Sequence, residues 1–297
     1  MSDVTRPQVE CGKAGLTFVA TPIGTARDIT LRALDVLRDA DVLVAEDTRT
    51  LRKLMDIHAI PVSGRAMIAY HDHNGGAVRP RLMGMLKEGK SLAYASEAGT
   101  PLVADPGYGL AQEALDNGFP VTSAPGPSAV ISALTIAGLP TDRFFFAGFA
   151  PNATAARKAF IEETREIPGT LVFYESPKRL GAFLSDASEV LGNRKATVCR
   201  ELTKKFEEAR RGELLELAAY YQENKARGEV VVVIDRNRSD SVNAETLEES
   251  LRQALQSMRV RDAADAVSKA HGVARRDVYQ LAIAMNKEIR DGGSEDA

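Results

Sequence analysis

Ser91-Leu-Ala-Tyr-Ala-Ser-Glu-Ala-Gly-Thr-Pro101, followed shortly by Asp105-Pro-Gly-Tyr-Gly109, decides the fold. Ser91 to Ser96 has the length and apolar content of a buried strand. The glycines and prolines of Ala98 to Gly109 cannot extend it and mark a long loop. Leu110 to Asn117 then reads as a helix and Pro120 to Ser123 as another strand. Working back, Arg81 to Lys87 is a helix stopped by Gly89, and Ile68 to Tyr70 is a strand. Thr48 to Met55 is a helix and Val42 to Ala45 a buried strand. Asp28 to Thr30 offers N-cap chemistry for a helix through Leu31, Leu34, Val36 and Leu37. Leu16 to Ala20 is a strand ending in Thr21-Pro-Ile-Gly24. Strands alternating with short helices specify an α/β fold on a mostly parallel sheet.

Ala124-Pro-Gly-Pro127 reads as a hinge, after which the alternation resumes. Helices are expected over Ser128 to Ala137, Ala155 to Glu166 and Pro177 to Leu191. Strands are expected at Phe144 to Ala147, Thr170 to Tyr174, Thr197 to Arg200 and Glu229 to Asp235. The wholly apolar Val230 to Ile234 suits a strand covered on both faces. Beyond polar Arg236 to Asn243 the pattern turns helical: Glu245 to Gln256, Arg261 to Ala270, a turn at His271-Gly-Val273, and Ala274 to Asn286. The last two form a helix-turn-helix pattern. The chain therefore divides into α/β domains at 13–124 and 125–238 and a helical tail domain at 244–290.

Composition narrows the class. With 44% hydrophobic and 27% charged residues, the 297-residue chain can bury a sizeable core. The net charge of −3 demands no nucleic-acid partner, so any basic surface must be local. Residues 259–290 supply one, with seven Lys or Arg against four Asp or Glu; the same tail also reads as a solvated helical bundle. Cys11 and Cys199 lie in no metal-type or CxxC spacing, which suits a reducing compartment. Met1 to Gly12 is polar and lacks an apolar signal core, as in a frayed leader, and Asp291 to Ala297 is expected to be disordered. No apolar run is long enough for a bilayer. The protein is expected in the cytoplasm, away from membranes.

Two motifs are set aside. Gly84-Met-Leu-Lys-Glu-Gly-Lys-Ser91 matches a phosphate-loop string, but here a helix precedes the glycine and a strand follows it. The phosphate loop needs the reverse order, so that a helix N-terminus faces the anion. His71-Asp-His73-Asn could ligate a metal but has no evident third ligand, so no metal is expected. The informative loops are Thr21 to Gly24, Ser96 to Pro101 and Asp105 to Gly109, each at a strand end. Ligands of open α/β sheets bind there, and glycines let backbone approach them. The residues alone specify a cleft-bearing α/β protein that binds a small polar ligand.

Read in order, these loops resemble the tetrapyrrole methylase superfamily, and more closely its ribosomal RNA small-subunit methyltransferase I family. Leu16 to Asp235 carries the resemblance, through Thr21-Pro-Ile-Gly24, Ala45-Glu-Asp-Thr-Arg49, Tyr70-His-Asp-His-Asn74, Ala98-Gly-Thr-Pro101, Asp105-Pro-Gly107, Pro125-Gly-Pro-Ser128, Phe173-Tyr-Glu-Ser176, Arg200-Glu-Leu-Thr-Lys204 and Gly228-Glu229. The chain departs from it at Glu97, where aspartate is common, at Thr25-Ala26, and at Lys178, where histidine is common.

The resemblance implies a two-domain tetrapyrrole-methylase-like fold plus a small helical C-terminal domain. S-adenosylmethionine would occupy the cleft between the domains, in a homodimer. The implied reaction is 2′-O-methylation of a cytidine in the decoding region of 16S small-subunit rRNA, on the small ribosomal subunit. Donor contacts are expected from Pro22, Ile23, Gly24, Ala98, Gly99, Thr100, Pro101, Ser128, Phe173, Tyr174, Gly228 and Glu229. Tyr174 could face the sulfonium, an attraction of ~0.5–2 kcal/mol. A ribose hydroxyl needs a proton acceptor, and His71, His73, Glu97, Glu175 and Lys204 are equal candidates. RNA contacts are expected from Arg49, Arg179, Lys204, Lys205, Arg275 and Arg276. A tetrapyrrole C-methyltransferase is the rival on the same scaffold, although such enzymes usually carry Gly-Asp-Pro where this chain has Gly99-Thr-Pro101. A non-enzymatic nucleic-acid-binding protein using the helical tail is the other.

Overall fold

A computed structural model describes residues 14–71, 73–237, 244–271, 273 and 275–292, with the side chains of 244–246 and 287–292 excepted. The readings on Met1 to Gly12, Cys11, residues 238–243, Gly272 of the turn and residues 293–297 lie outside the described residues.

The first half is the alternating unit that its sequence specifies. β1 (Gly15–Val19) leads to α1 (Leu31–Asp39), β2 (Val42–Ala45), α2 (Thr48–Ile57), β3 (Ala66–Ala69), α3 (Gly75–Lys87), β4 (Ser91–Ala95), α4 (Tyr108–Asp116) and β5 (Val121–Ala124). The strands form one parallel sheet in the order β3-β2-β4-β1-β5. Being parallel, all five strands end on one edge, where the glycine- and proline-rich loops collect. Local chemistry fixes the helix starts: Thr30 Oγ1 accepts from the Ala33 N–H at 3.2 Å, and Asp47 Oδ1 accepts from the Arg49 N–H at 2.8 Å. Tyr94, fully buried, stacks edge-on against Phe18 and Tyr70 in one core layer.

α3 starts earlier than Arg81 and carries Pro80 inside it. Asn74 makes this possible, because its side chain accepts from the His71 N–H at 2.9 Å and donates to the Ala69 carbonyl at 3.0 Å. Those bonds fix the turn that leads from β3 into the helix, ahead of Pro80.

The second half departs from a mostly parallel sheet. It comprises α5 (Ala129–Ala137), β6 (Phe144–Phe149), α6 (Thr154–Glu162), β7 (Thr170–Glu175), α7 (Leu180–Leu191), β8 (Lys195–Arg200), β9 (Glu208–Glu213), α8 (Leu214–Glu223) and β10 (Val230–Ile234). The order is β6-β7-β10-β8-β9, and only β6 with β7 is parallel. β8 turns directly into β9 as an antiparallel hairpin, and apolar β10 inserts antiparallel between β7 and β8. β9 and α8 are additions to the sequence reading. Both sheets belong to one compact unit ending at Asp235.

The segment from Arg236 is a separate unit. α9 (Ala244–Leu255), α10 (Val260–His271) and α11 (Arg275–Gly292) enclose their own core of Leu251, Ala263, Ala264, Val267, Val278, Ala282 and Met285. α11 continues to Gly292, so helix replaces the expected disorder at Asp291. No helix among the described residues is long and apolar enough to cross a membrane.

Candidate active site

The loops at the carboxyl edge of the first sheet are stitched to one another. Thr21 and Gly99 exchange backbone hydrogen bonds of 2.9 and 3.0 Å. Thr21 Oγ1 donates to the Ser96 carbonyl at 3.1 Å, and Ser96 Oγ to the Gly99 carbonyl at 2.5 Å. Thr100 Oγ1 donates to the Pro127 carbonyl at 2.9 Å, tying in the stretch that enters α5. Gly99 sits at φ +82°, the left-handed region, and a Cβ there would lie 3.3 Å from Ile23 Cγ2. Only glycine holds that bend without strain.

The first loop also docks on the β8–β9 connection. The Thr25 N–H donates to Thr203 Oγ1 at 3.1 Å, and Thr25 Oγ1 to the Thr203 carbonyl at 2.5 Å. A Cβ on Gly24 would fall 2.6 Å from Lys204 Cγ, so the close approach requires glycine. Within this connection Lys204 Nζ donates to Glu201 Oε1 at 3.1 Å and Glu229 Oε2 at 2.8 Å. Burial works against the ammonium, but those two bonds outweigh it and raise its pKa.

Between these elements opens a cleft of about 720 Å³, within the ~300–1,000 Å³ usual for small-ligand sites. One wall comes from Pro22 to Gly24, Glu97 to Thr100 and Val103 to Asp105; the other comes from Ser128, Tyr174 to Pro177, Leu202, Lys204 and Gly228 to Val231. Glu46, Glu97 and Asp105 make it acidic. Burial first, then Glu46 and Glu97, push the Asp105 carboxyl up to about 7. Its Oδ2 is buried with no hydrogen-bond partner. Tyr174 leans edge-on against Phe146 at 4.8 Å and Phe149 at 5.5 Å, and burial raises its hydroxyl to about 12.

Residues 15–218 match the family model of tetrapyrrole (corrin/porphyrin) methylases, and residues 240–286 match that of the RsmI C-terminal HTH domain. The ribosomal RNA small subunit methyltransferase I of Mesorhizobium japonicum is 42% identical over 94% of either chain. The chain belongs to the ribosomal RNA small subunit methyltransferase I family. The protein of that name from Halalkalibacterium halodurans is 38% identical over 91% of this chain and 94% of its own. Among solved structures, uroporphyrin-III C-methyltransferase from Thermus thermophilus in complex with S-adenyl homocysteine shares the fold, with a TM-score of 0.52 at 18% identity over 74% of this chain and 97% of its own.

Membership makes the chain a methyltransferase, and its methyl donor is S-adenosylmethionine. The cleft suits that donor. The molecule carries sulfonium and ammonium cations, and the walls carry the carboxylates Glu46, Glu97 and Glu229.

Of the residues assigned to the donor, Pro22, Ile23, Gly24, Ala98, Gly99, Thr100, Ser128, Tyr174, Gly228 and Glu229 line the cleft. Phe173 does not. Successive strand residues face opposite ways, so with Tyr174 toward the cleft Phe173 is buried against Phe183 and Phe160. Pro101 is buried behind the loop and also stays off the lining.

Among the candidate bases, Glu97, Glu175 and Lys204 reach the lining. Glu175 is committed elsewhere, since Arg179 Nη2 lies 2.5 Å from its Oε1 and the Ser176 N–H donates to the same oxygen at 2.6 Å. The rings of His71 and His73 contact each other at 6.1 Å, away from the lining, because they sit past the end of β3 at the sheet margin. Among the described residues no three potential ligands converge as a metal site.

The cations expected on RNA are unequal. Lys205 and Arg276 are exposed. Arg49 is exposed but paired with Asp47, Arg179 is held by Glu175 and Asn152, and Arg275 is paired with Asp265 between α10 and α11. The acids Glu46 and Asp105 and the rim aromatic Phe149 are additions to the site. Asp105 had a signal, as a carboxylate inside a Gly/Pro loop at a strand end. Leu202 had only its place in the Arg200-Glu-Leu-Thr-Lys204 motif, because its position on the cleft depends on the β8–β9 hairpin.

Proposed function

We propose that this protein methylates the ribose 2′-hydroxyl of a cytidine in the decoding region of small-subunit rRNA, acting in the cytoplasm as a homodimer on the small ribosomal subunit. Similarity to family members over nearly the whole chain carries this reading, since it covers the cleft and the helical tail together. The ordered loop motifs from Thr21 to Glu229 support the choice of hydroxyl and nucleoside. Gly99-Thr-Pro101 lacks the aspartate usual in enzymes that methylate tetrapyrroles.

Pro22 to Gly24 and Ala98 to Thr100 hold the donor through backbone groups, with Ser128, Tyr174, Gly228 and Glu229 as the opposite wall. S-adenosylmethionine brings an electrophilic methyl on sulfonium, so positioning can supply much of the rate, up to ~7–11 kcal/mol. Lys204 does not serve as the base: bonded to Glu201 and Glu229, it keeps its proton. Its part is to clamp the β8–β9 connection to the strand opening at Glu229. Exposed Lys205 and Arg276 meet phosphates, and Arg49, Arg179, Lys204 and Arg275 act mainly through their carboxylate partners.

Transfer of labelled methyl to a panel of acceptors tests the reading: small subunits lacking the native modification, their free rRNA, large subunits and uroporphyrinogen. Label confined to small subunits and mapped to a 2′-O-methyl cytidine is the expected result. Label on uroporphyrinogen would overturn it in favour of tetrapyrrole methylation. Absence of both label and donor binding would favour a non-enzymatic RNA-binding role.

A further inference from the structure

Methyl transfer to a hydroxyl leaves a proton to be placed, and the groups facing the cleft are not equally free to take it. Lys204 is bonded to two carboxylates, and Glu175 binds Arg179 and the Ser176 amide. Tyr174 is raised to about 12 and holds its own proton. Asp105 differs from Lys204 and Tyr174 in being a carboxylate, and from Glu175, whose Oε2 is also buried without a partner, in having no cation bound to it among the described residues. It lines the cleft, and its Oδ2 is shielded from water without any hydrogen-bond partner. An unsatisfied buried oxygen costs free energy that an incoming donor group recovers.

The loop is built to hold it there. Leu102 and Ala104, neither a glycine, sit at φ +71° and +59° just before Asp105. Such strain persists only where surrounding structure enforces it, and it clusters at functional sites. The enforcement is visible: Tyr94 donates its hydroxyl to the Pro106 carbonyl at 3.0 Å, and a Cβ on Gly107 would lie 2.8 Å from Leu102 Cδ2. The buried sheet core thus grips the residue immediately after Asp105.

We infer that Asp105 is the proton acceptor for the ribose hydroxyl, an inference that rests on the reading of the preceding section. The hydroxyl oxygen forms its bond to the methyl carbon as the carbon–sulfur bond breaks. That bond's electron pair goes to sulfur, leaving a neutral thioether, and the hydroxyl proton passes to Asp105 Oδ2. The charged and titratable groups around this carboxylate are Glu46 after β2, Glu97 after β4, Tyr174 on β7, and Lys204 and Glu229 across the cleft. Burial and the two glutamates bring its pKa to about 7, which suits a base near neutral pH. A cationic donor alongside lowers it further.

The test compares the unaltered protein with Asp105→Asn and Asp105→Glu, measuring donor affinity by calorimetry and transfer to unmodified small subunits across pH. Asp105→Asn is expected to bind donor within about threefold of the original and to lose ~10²–10⁴-fold in transfer rate. Asp105→Glu, which keeps a carboxylate, should recover part of that loss. The unaltered protein should show one ionisation at or below about 7 in its rate profile, absent from Asp105→Asn. Transfer by Asp105→Asn within threefold of the original, or an unchanged pH profile, overturns the assignment. So does a loss of donor binding that matches the loss of rate, which would make Asp105 a donor contact. Should Asp105→Asn not fold, a pH-independent rate in the unaltered protein overturns it equally. If the unaltered protein binds donor but labels no RNA, the RNA reading itself fails and the assignment with it.

Discussion

Asp105 is held where its charge is costly, and that cost can be measured apart from catalysis. A carboxyl with an ordinary value of 3.8 that rises to about 7 in the fold binds its proton more tightly folded than unfolded. Its contribution to stability is therefore fully present below about pH 3.8 and is lost as pH rises towards 7. Asparagine has the same shape and never ionises. Asp105→Asn should accordingly melt at a higher temperature than the original at pH 8, with the gap closing as pH falls towards 4. A constant gap, or a lower melting point at pH 8, would show that the buried carboxylate is not the source of strain. This also explains why the residue escaped the sequence reading. Its Gly/Pro loop was recognisable as a strand-end loop, but burial and the convergence of Glu46 and Glu97 depend on contacts across the sheet. Lys204 shows the opposite case: its residue type suggests a base, and only the pairing with Glu201 and Glu229 shows a clamp.

Elements were legible where their periodicity was local. β1, β2 and β4 are short apolar runs closed by turn residues, and the structure places them side by side in a parallel sheet. β9, with sequence Glu208-Ala-Arg-Arg-Gly-Glu213, offers no alternation, because an edge strand shows one side to water and gains from charges that block further pairing. Without β9 the hairpin is invisible, and the mainly antiparallel second sheet cannot be inferred. The α6–α7 contact is another feature set by tertiary structure. Arg157 and Asp186 are 4% and 8% exposed, with Nη2 and Oδ2 2.6 Å apart. Arg157 Nη1 also donates to the Asn152 carbonyl at 2.9 Å, ahead of α6. Removing one partner strands a buried charge, so Asp186→Ala should cost ~3–5 kcal/mol in urea unfolding. Replacing both residues by apolar ones of similar volume should cost much less. A single-mutant loss below 1 kcal/mol would mean that Lys158, 3.9 Å from Asp186, or water compensates the pair.

At the scale of the whole molecule, chemistry and tail occupy separate units. The cleft lining runs from Pro22 to Val231, entirely within the unit ending at Asp235, and the tail encloses a core of its own. Donor binding should therefore not need the tail. RNA binding should, if the excess of three positive charges in 259–290 meets phosphates. A chain ending at Asn237 is expected to bind S-adenosylmethionine with unchanged affinity while its KM for unmodified small subunits rises at least tenfold. Each phosphate contact releases counterions, so removing three should flatten the logarithmic salt dependence of RNA affinity by about 2, at ~0.7 per single-strand contact. The two readings separate the tail's possible roles. A raised KM with the salt slope unchanged would assign the tail a shape-reading or assembly role, with its charge incidental. Unchanged KM and slope together would return RNA recognition to the first unit, where Lys205 and Arg49 are among the exposed cations next to cleft-lining residues.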